Sequence, residues 1–220
     1  MTTISDIKYP RTYHLPWSEG ATNDDKISKD VSYILNRKIL ISEKLDGSNC
    51  CLTRDNCFAR SHSGPASHES FDIAKAFHST IKFDIPDNIL MFIEHCYAKH
   101  SIFYSNLKSY YNIITLFDLH RNMWLSFDDI QLYSEVFQIP TVPILYSGVV
   151  SSEKELYEIC SSLMKVPSVY GPEREGVVIR VADEFSNDDF YRCVLKQVRK
   201  DHVTTSEHWK NQRIVKNIIL

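Results

Sequence analysis

The sequence predicts an α+β fold of mostly antiparallel sheets flanked by helices. Runs rich in β-branched and aromatic residues recur along the chain without regular alternation with helices, which argues against a doubly wound parallel sheet. Two segments combine helix-start signals with apolar residues at helical spacing. With 220 residues, 43% of them hydrophobic and 12% aromatic, the chain can bury one substantial core, so a single domain over residues 1–220 is expected.

In the first thirty residues, Tyr9-Pro10 and Leu15-Pro16 predict extended or irregular chain, because proline biases its predecessor away from helix. A short helix is expected next, with Val31, Ile34 and Leu35 on one side. Strands are expected at residues 38–42 and 49–53, around a Gly47-Ser48 corner. Phe71, Ala74, Phe77 and Ile81 predict a helix over 67–80, and residues 89–94 and 112–119 read as buried strands. Ser126 with Asp128 and Asp129 marks a helix start. A strand over 141–146 follows, and then Ser152-x-x-Glu155 forms a capping box before Leu156, Ile159, Cys160 and Leu163. Two closing strands, 176–181 and 191–198, flank an acidic loop.

A net charge of −3 excludes a uniformly basic nucleic-acid coat but not a local basic groove. The six cysteines form no C-x-x-C pair and no disulfide framework, which predicts reduced thiols in a cytoplasmic protein. Cys57, His62 and His68 lack the paired spacing of a zinc site. Neither a signal sequence nor a membrane-spanning apolar run is apparent, so no membrane partner is expected.

The most informative segment is Glu43-Lys44-Leu45-Asp46-Gly47-Ser48-Asn49. A lysine that closes an apolar strand and faces an Asp-Gly turn is well placed to be a nucleophile. Burial and nearby positive charge would lower its pKa and free its amine. Taken alone, the pattern reads as a surface turn. Glu94 and Glu175 alone read as surface carboxylates at strand ends, Phe117 as core, and Arg60 and Lys196 as solvated strand charges.

Their order along the chain changes that reading. Lys44-Leu45-Asp46-Gly47, the Glu94 segment, Phe117-Asp118, Glu175-Gly176-Val177-Val178-Ile179 and Lys196 resemble the ordered motifs of the covalent nucleotidyltransferases, the polynucleotide ligases and capping enzymes. Residues 94–104, with Tyr97-Ala98-Lys99-His100-Ser101-Ile102, resemble the ATP-dependent RNA-ligase form, as do Tyr13-His14-Leu15-Pro16-Trp17 and the stretch 202–209. The resemblance implies a ligase adenylation domain that joins RNA 5′-phosphate and 3′-hydroxyl ends through a lysyl-AMP intermediate, with Lys44 as the covalent nucleophile. It implies ATP and Mg²⁺, with Mn²⁺ able to substitute. Asp46, Glu94 and Glu175 would hold the metal, and Glu94 could alternatively contact the ribose. Arg60 and Lys196 would offset phosphate charge, Phe117 would stack on adenine, Glu43 or its backbone would fix the base edge, and Asn49 would contact phosphate or the hydrated metal.

Two departures are visible. Related ligases often show a Lys-x-Lys pair in the last motif, whereas Lys196 has Val194 and Val198 at those offsets, so that one phosphate contact is expected to be absent or replaced by Arg199 or Lys200. Related enzymes also often carry a further nucleic-acid-binding domain, so RNA grip is expected from this domain's own surface or from a protein partner. Candidate RNA contacts are Lys99, His100, Arg199, Lys200, His202 and Trp209, with Tyr104 and Lys108 in the same basic-aromatic stretch as Lys99. The alternatives are a capping-type guanylyltransferase, a DNA ligase, or a non-catalytic RNA-binding relative.

Overall fold

Period-two alternation of apolar residues folds the chain into two facing sheets. The structure is a computed structural model that describes residues 7–61, 65–200 and 213–220. One sheet contains β1 (Tyr13–His14), β2 (Lys38–Lys44), β8 (Ile144–Val149), β9 (Gly176–Val181) and β11 (Val194–Val198), ordered β1-β11-β9-β2-β8. The other contains β3 (Ser48–Leu52), β4 (Cys57–Ala59), β5 (Ile89–His95), β6 (Tyr111–Asp118), β7 (Met123–Trp124) and β10 (Phe185–Ser186), ordered β10-β7-β6-β5-β3-β4. Every ladder between these strands is antiparallel except the edge pairing of β1 with β11. The helices are α1 (Asp72–Ile81), α2 (Phe127–Phe137), α3 (Glu153–Met164) and α4 (Phe190–Cys193).

Alternation decides what each strand faces. On β2, Ile39 and Ile41 join Val177, Ile179, Val181 and Leu195 in a cluster closed by Leu156 and Cys160 of α3. Leu40, Ser42 and Lys44 therefore point the other way, toward the second sheet. On β5, Met91 and Ile93 pack with Ile113, Leu116, Ala74 of α1 and Ile130 of α2. Leu90, Phe92 and Glu94 then face the first sheet. A smaller cluster of Leu45, Cys96, Ile102, Tyr104, Leu107, Val142 and Tyr170 lies beside the turn after β2.

Both sequence-marked caps form. The Ser126 hydroxyl accepts from the Asp129 N–H and the Ser152 hydroxyl from the Glu155 N–H, each at 3.2 Å; such caps contribute about 1 kcal/mol each. The capping box is displaced by one residue, since Glu155 accepts from the Ser151 N–H rather than from that of Ser152. Glycine is needed at two strand ends because backbones meet there. A Cβ on Gly47 would lie 2.7 Å from the His95 carbonyl oxygen, and one on Gly176 would lie 2.2 Å from that of Gln197.

Several local expectations change. The helix expected before residue 36 is a single 3-10 turn, Ser32–Ile34. The strand expected at 141–146 begins at Ile144, after Pro143. Residues 191–193 belong to α4 rather than to the last strand. Tyr13–His14, in the stretch expected to be extended or irregular, pairs as an edge strand with β11. No helix among the described residues is long and apolar enough to cross a membrane, and all six cysteines are free and buried. His62, His202 and Trp209 lie outside the described residues.

Candidate active site

A cavity of about 760 Å³ opens between the two sheets, and its walls include Glu43, Lys44, Asn49, Arg60, Glu94, His100 and Lys196. Pairing explains the convergence. Lys44 lies opposite Gly176, the residue after Glu175, and Asn49 on β3 lies opposite Glu94 on β5. Residues expected from five separate stretches of sequence thus meet across one cleft.

Glu175 grips the lysine with both carboxylate oxygens, at 2.7 and 2.8 Å from Lys44 Nζ. Burial works against the charge on Lys44. The fields of Glu175 and Glu94, the hydrogen bond that Lys44 donates to Glu175 and the field of Asp46 outweigh it and raise the lysine's pKa. Where the sequence led to the expectation of a lowered pKa, the carboxylates around Lys44 raise it instead. Glu94 moves the other way from an ordinary carboxylate. Burial pushes its pKa up to about 7, against the pull of Lys44 and the Gly47 N–H, with Glu175 and Asp46 adding to the rise.

The Asp46-Gly47 turn is pinned on several sides. The Tyr104 hydroxyl accepts from the Asp46 N–H at 2.8 Å, and Glu94 Oε1 accepts from the Gly47 N–H at 3.1 Å. Asp46 Oδ2 accepts from the Ser101 and Ile102 N–H groups at 2.7 and 2.8 Å, while His100 Nδ1 lies 3.9 Å from Asp46 Oδ1. These commitments bear on metal binding. Among the described residues no three His, Cys, Asp or Glu side chains are grouped to hold a metal ion. Asp46, Glu94 and Glu175 are therefore not a ready-made cation cage. All three are already engaged, Asp46 and Glu94 with N–H groups and Glu175 with Lys44.

Lys196 has a partner that its own motif does not reveal. Its Nζ lies 3.5 Å from Asp25 Oδ1, which is also 3.3 Å from His14 Nε2. Although burial opposes it, hydrogen bonds from the Thr22 N–H and hydroxyl, with Lys196 and His14 nearby, hold Asp25 down at about 2. Burial lowers the Lys196 pKa, and Asp25 opposes that fall. Arg180, a buried residue, also lines the cavity and donates to Thr115 Oγ1, the Leu125 carbonyl and the Val181 carbonyl. Burial brings its pKa down to about 10. Nothing local in the sequence singled out Asp25 or Arg180.

Other expectations move. Phe117 does not line the cavity. It is fully buried and packs on Trp124 with ring centroids 4.9 Å apart. It faces the first sheet as alternation requires, but it pairs with Leu90, about 13 Å along β5 from Glu94. There Trp124 and Phe190 fill the space between the sheets. The cavity's apolar lining includes instead Ile114, Val142 and Val178, with the rings of Phe71, Phe185 and Phe190. Of the Glu43 carboxylate, the buried Oε1 meets no hydrogen-bond partner among the described residues, and Oε2 is committed to protein. It accepts from the Val169 N–H at 3.0 Å and pairs with Arg174 at 3.5 Å, both side chains being buried. Tyr104 is fully buried, Arg199 pairs with Glu173 at 2.7 Å, and neither Lys99, Arg199 nor Lys200 lines the cavity.

A strand-end lysine gripped by the glutamate of the neighbouring strand, in a cleft between two antiparallel sheets, defines a nucleotidyltransferase domain of the ligase type. The chain belongs to the RNA ligase family, whose model matches residues 37–198. An archaeal ATP-dependent RNA ligase superposes with a TM-score of 0.59 at 12% identity, over 89% of this chain and 49% of that one. A Naegleria gruberi RNA ligase with PPi gives 0.59 at 16%, over 87% and 60%. A putative ATP-dependent DNA ligase from Aquifex aeolicus gives 0.56 at 15%, over 89% and 50%. At these identities the likeness is one of fold, and the chain spans about half to three fifths of the length of these proteins. A search of curated proteins found no match.

Proposed function

We propose that the chain is an ATP-dependent RNA ligase in which residues 1–220 act as a single adenylyltransferase domain. The observation that carries this reading is the Lys44–Glu175 pair, whose lysine lines a cavity together with Glu94, Arg60 and Lys196. In the first step the unprotonated Lys44 Nζ attacks the α-phosphorus of ATP; an N–P bond forms, the bond to the bridging oxygen breaks and pyrophosphate leaves. An oxygen of an RNA 5′-phosphate then attacks the same phosphorus and the N–P bond breaks, returning the amine. Finally an RNA 3′-hydroxyl oxygen attacks the activated 5′-phosphate, loses its proton and expels AMP.

The protein groups suit these demands. Lys196 and Arg60 present cations to phosphate oxygens on which charge builds. Glu94, titrating near neutrality, can hold or release a proton beside Lys44. Ile114, Val142 and Val178 offer an apolar surface to the base in place of Phe117, and Glu43, whose Oε1 carries no hydrogen bond, remains a candidate for its edge. Mg²⁺, or Mn²⁺ in its place, enters the proposal as the counter-ion of the nucleotide; a Naegleria gruberi RNA ligase variant was solved with ATP and Mn. The RNA would lie on the domain's own surface, with His100 at the cavity and Lys99 beside it, or be held by a protein partner.

The test is incubation with ATP labelled at the α-phosphate and Mg²⁺, followed by denaturing electrophoresis. Label on the wild-type chain, pyrophosphate release, and no label on Lys44→Ala or Lys44→Arg are expected. Equal labelling of Lys44→Ala would remove Lys44 as nucleophile.

A further inference from the structure

Residues 213–220 return to the site although they lie beyond the segment matched by the family model. They run against residues 97–107 through backbone bonds. The Lys99 N–H donates to the Val215 carbonyl, the Asn217 N–H to that of Tyr97, and the Ile218 N–H to that of Tyr104. Apolar burial is not what holds this segment, because Val215, Ile218, Ile219 and Leu220 are all exposed. Its one deeply buried residue is polar. Asn217 is 1% exposed, its Oδ1 accepting from the Tyr104 N–H at 2.8 Å and its Nδ2 donating to the Cys96 carbonyl at 2.9 Å.

Those two bonds fall at the two ends of one loop. Between Cys96 and Tyr104 lie Ser101 and Ile102, whose N–H groups hold Asp46 Oδ2, and the loop's last side chain, the Tyr104 hydroxyl, holds the Asp46 N–H. A buried amide that fixes both ends of a loop fixes the span between them. Asp46 is two residues from Lys44, so the path from Asn217 to the reactive turn contains only the loop.

We propose that Asn217 is a positioning residue for the Lys44 turn, acting through the 96–104 loop on Asp46; this rests on the reading of Lys44 as the nucleophile. Its effect is on the geometry of attack rather than on nucleotide affinity. Small displacements of a reacting group slow chemistry steeply while leaving binding largely intact.

The experiment compares single-turnover lysyl-AMP formation in wild type, Asn217→Ala, Tyr104→Phe, Asp46→Ala and Asn217→Ala/Asp46→Ala. It also follows amide hydrogen exchange at Asp46, Ser101 and Ile102. Expected is a rate about ten- to a hundred-fold lower in Asn217→Ala with an ATP KM changed less than about two-fold. The double variant should be no slower than Asp46→Ala alone, because both act on one group. Exchange at the three amides should accelerate while α2 and α3 stay protected. Tyr104→Phe, which removes only the hydroxyl, should give the same pattern more weakly and keeps the test open where Asn217→Ala does not fold. Losses that multiply in the double variant, or unchanged exchange at the three amides, overturn the proposal. Wild-type protein that takes no label, with exchange still coupled to Asn217, overturns the nucleophile reading and leaves the positioning contact standing.

Discussion

Lys44 and Glu175 face each other across adjacent strands, the ammonium nitrogen 2.7 Å from one carboxylate oxygen and 2.8 Å from the other. On the opposite side of the same two strands, the preceding residues Glu43 and Arg174 form a second ion pair of reversed polarity. The Lys44 side chain is 28% exposed and those of Glu43 and Arg174 at most 3%, so the first pair can be exchanged for a ligand more readily while the second holds the strand ends together.

Removing the Glu175 carboxylate takes away the foremost influence that raises the Lys44 pKa. Glu175→Gln should therefore lower that pKa, so that an acylating reagent modifies Lys44 at lower pH. Lysyl-AMP formation should still fall, by about a hundred-fold, because the lysine is no longer aimed. The pH dependence of modification, read by mass spectrometry at Lys44, checks the first statement. A lysine that titrates as in wild type would show that another group holds its proton.

Arg174→Met should destabilise the protein by about 3–5 kcal/mol, because it leaves the Glu43 carboxylate buried without its cation. Glu43→Leu/Arg174→Met should recover most of that loss, since no buried charge remains. Urea midpoints with unchanged slopes would measure both. A single variant within about 1 kcal/mol of wild type would mean that the Val169 N–H alone satisfies Glu43.

These two pairs show where sequence reading works and where it stops. Caps at Ser126 and Ser152, the strands around Lys44 and Glu175, and the alternation that puts Glu94 and Lys44 into one cleft are written in short-range pattern, and they hold. Glu43 with Arg174, and Tyr104 with Asn217, are separated by more than a hundred residues, and no local pattern specifies which distant polar groups will meet. Phe117 illustrates a subtler limit. Alternation correctly turns it toward the cleft, but how far along the cleft Trp124 and Phe190 fill the space depends on tertiary packing. The charge state of Lys44 was hidden for the same reason, since it is set by three carboxylates drawn from separate strands and turns.

Asp25→Asn should act on activity through Lys196. Asp25 raises the Lys196 pKa against burial, so its neutralisation lets that pKa fall further. The loss of lysyl-AMP formation at high pH should then begin at lower pH than in wild type. Rates measured between about pH 7 and 10 read this directly. An alkaline limb at the wild-type position would show that Asp25 does not govern the lysine.

His95 should make stability fall in mild acid. It is 2% exposed, stacked at 5.5 Å on Tyr111, and its Nε2 meets no hydrogen-bond partner among the described residues. Burial, helped by His100, pushes its pKa down to about 4. The unfolded chain, with a histidine near about 6.5, binds the extra proton between these values. The stabilising contribution is therefore complete above about pH 6.5 and is lost as pH falls toward about 4, by about 3 kcal/mol at most. Urea midpoints across that range should drop for wild type and drop less for His95→Phe; parallel curves would assign the acid sensitivity elsewhere.

Phe117 separates a core residue from a base-stacking one. Truncation to Ala should cost about 3–5 kcal/mol, as expected for a fully buried aromatic in contact with Trp124. Phe117→Leu keeps most of the apolar volume and loses only the ring, so it should stay folded and leave the ATP KM within about two-fold of wild type. Val178→Ala, on the wall of the cavity itself, should instead raise that KM while costing less stability than Phe117→Ala, because Val178 is only partly buried. A rise in KM for Phe117→Leu that exceeds the rise for Val178→Ala would mean that the closed end of the cleft opens to admit the base, and that Trp124 and Phe190 move to allow it.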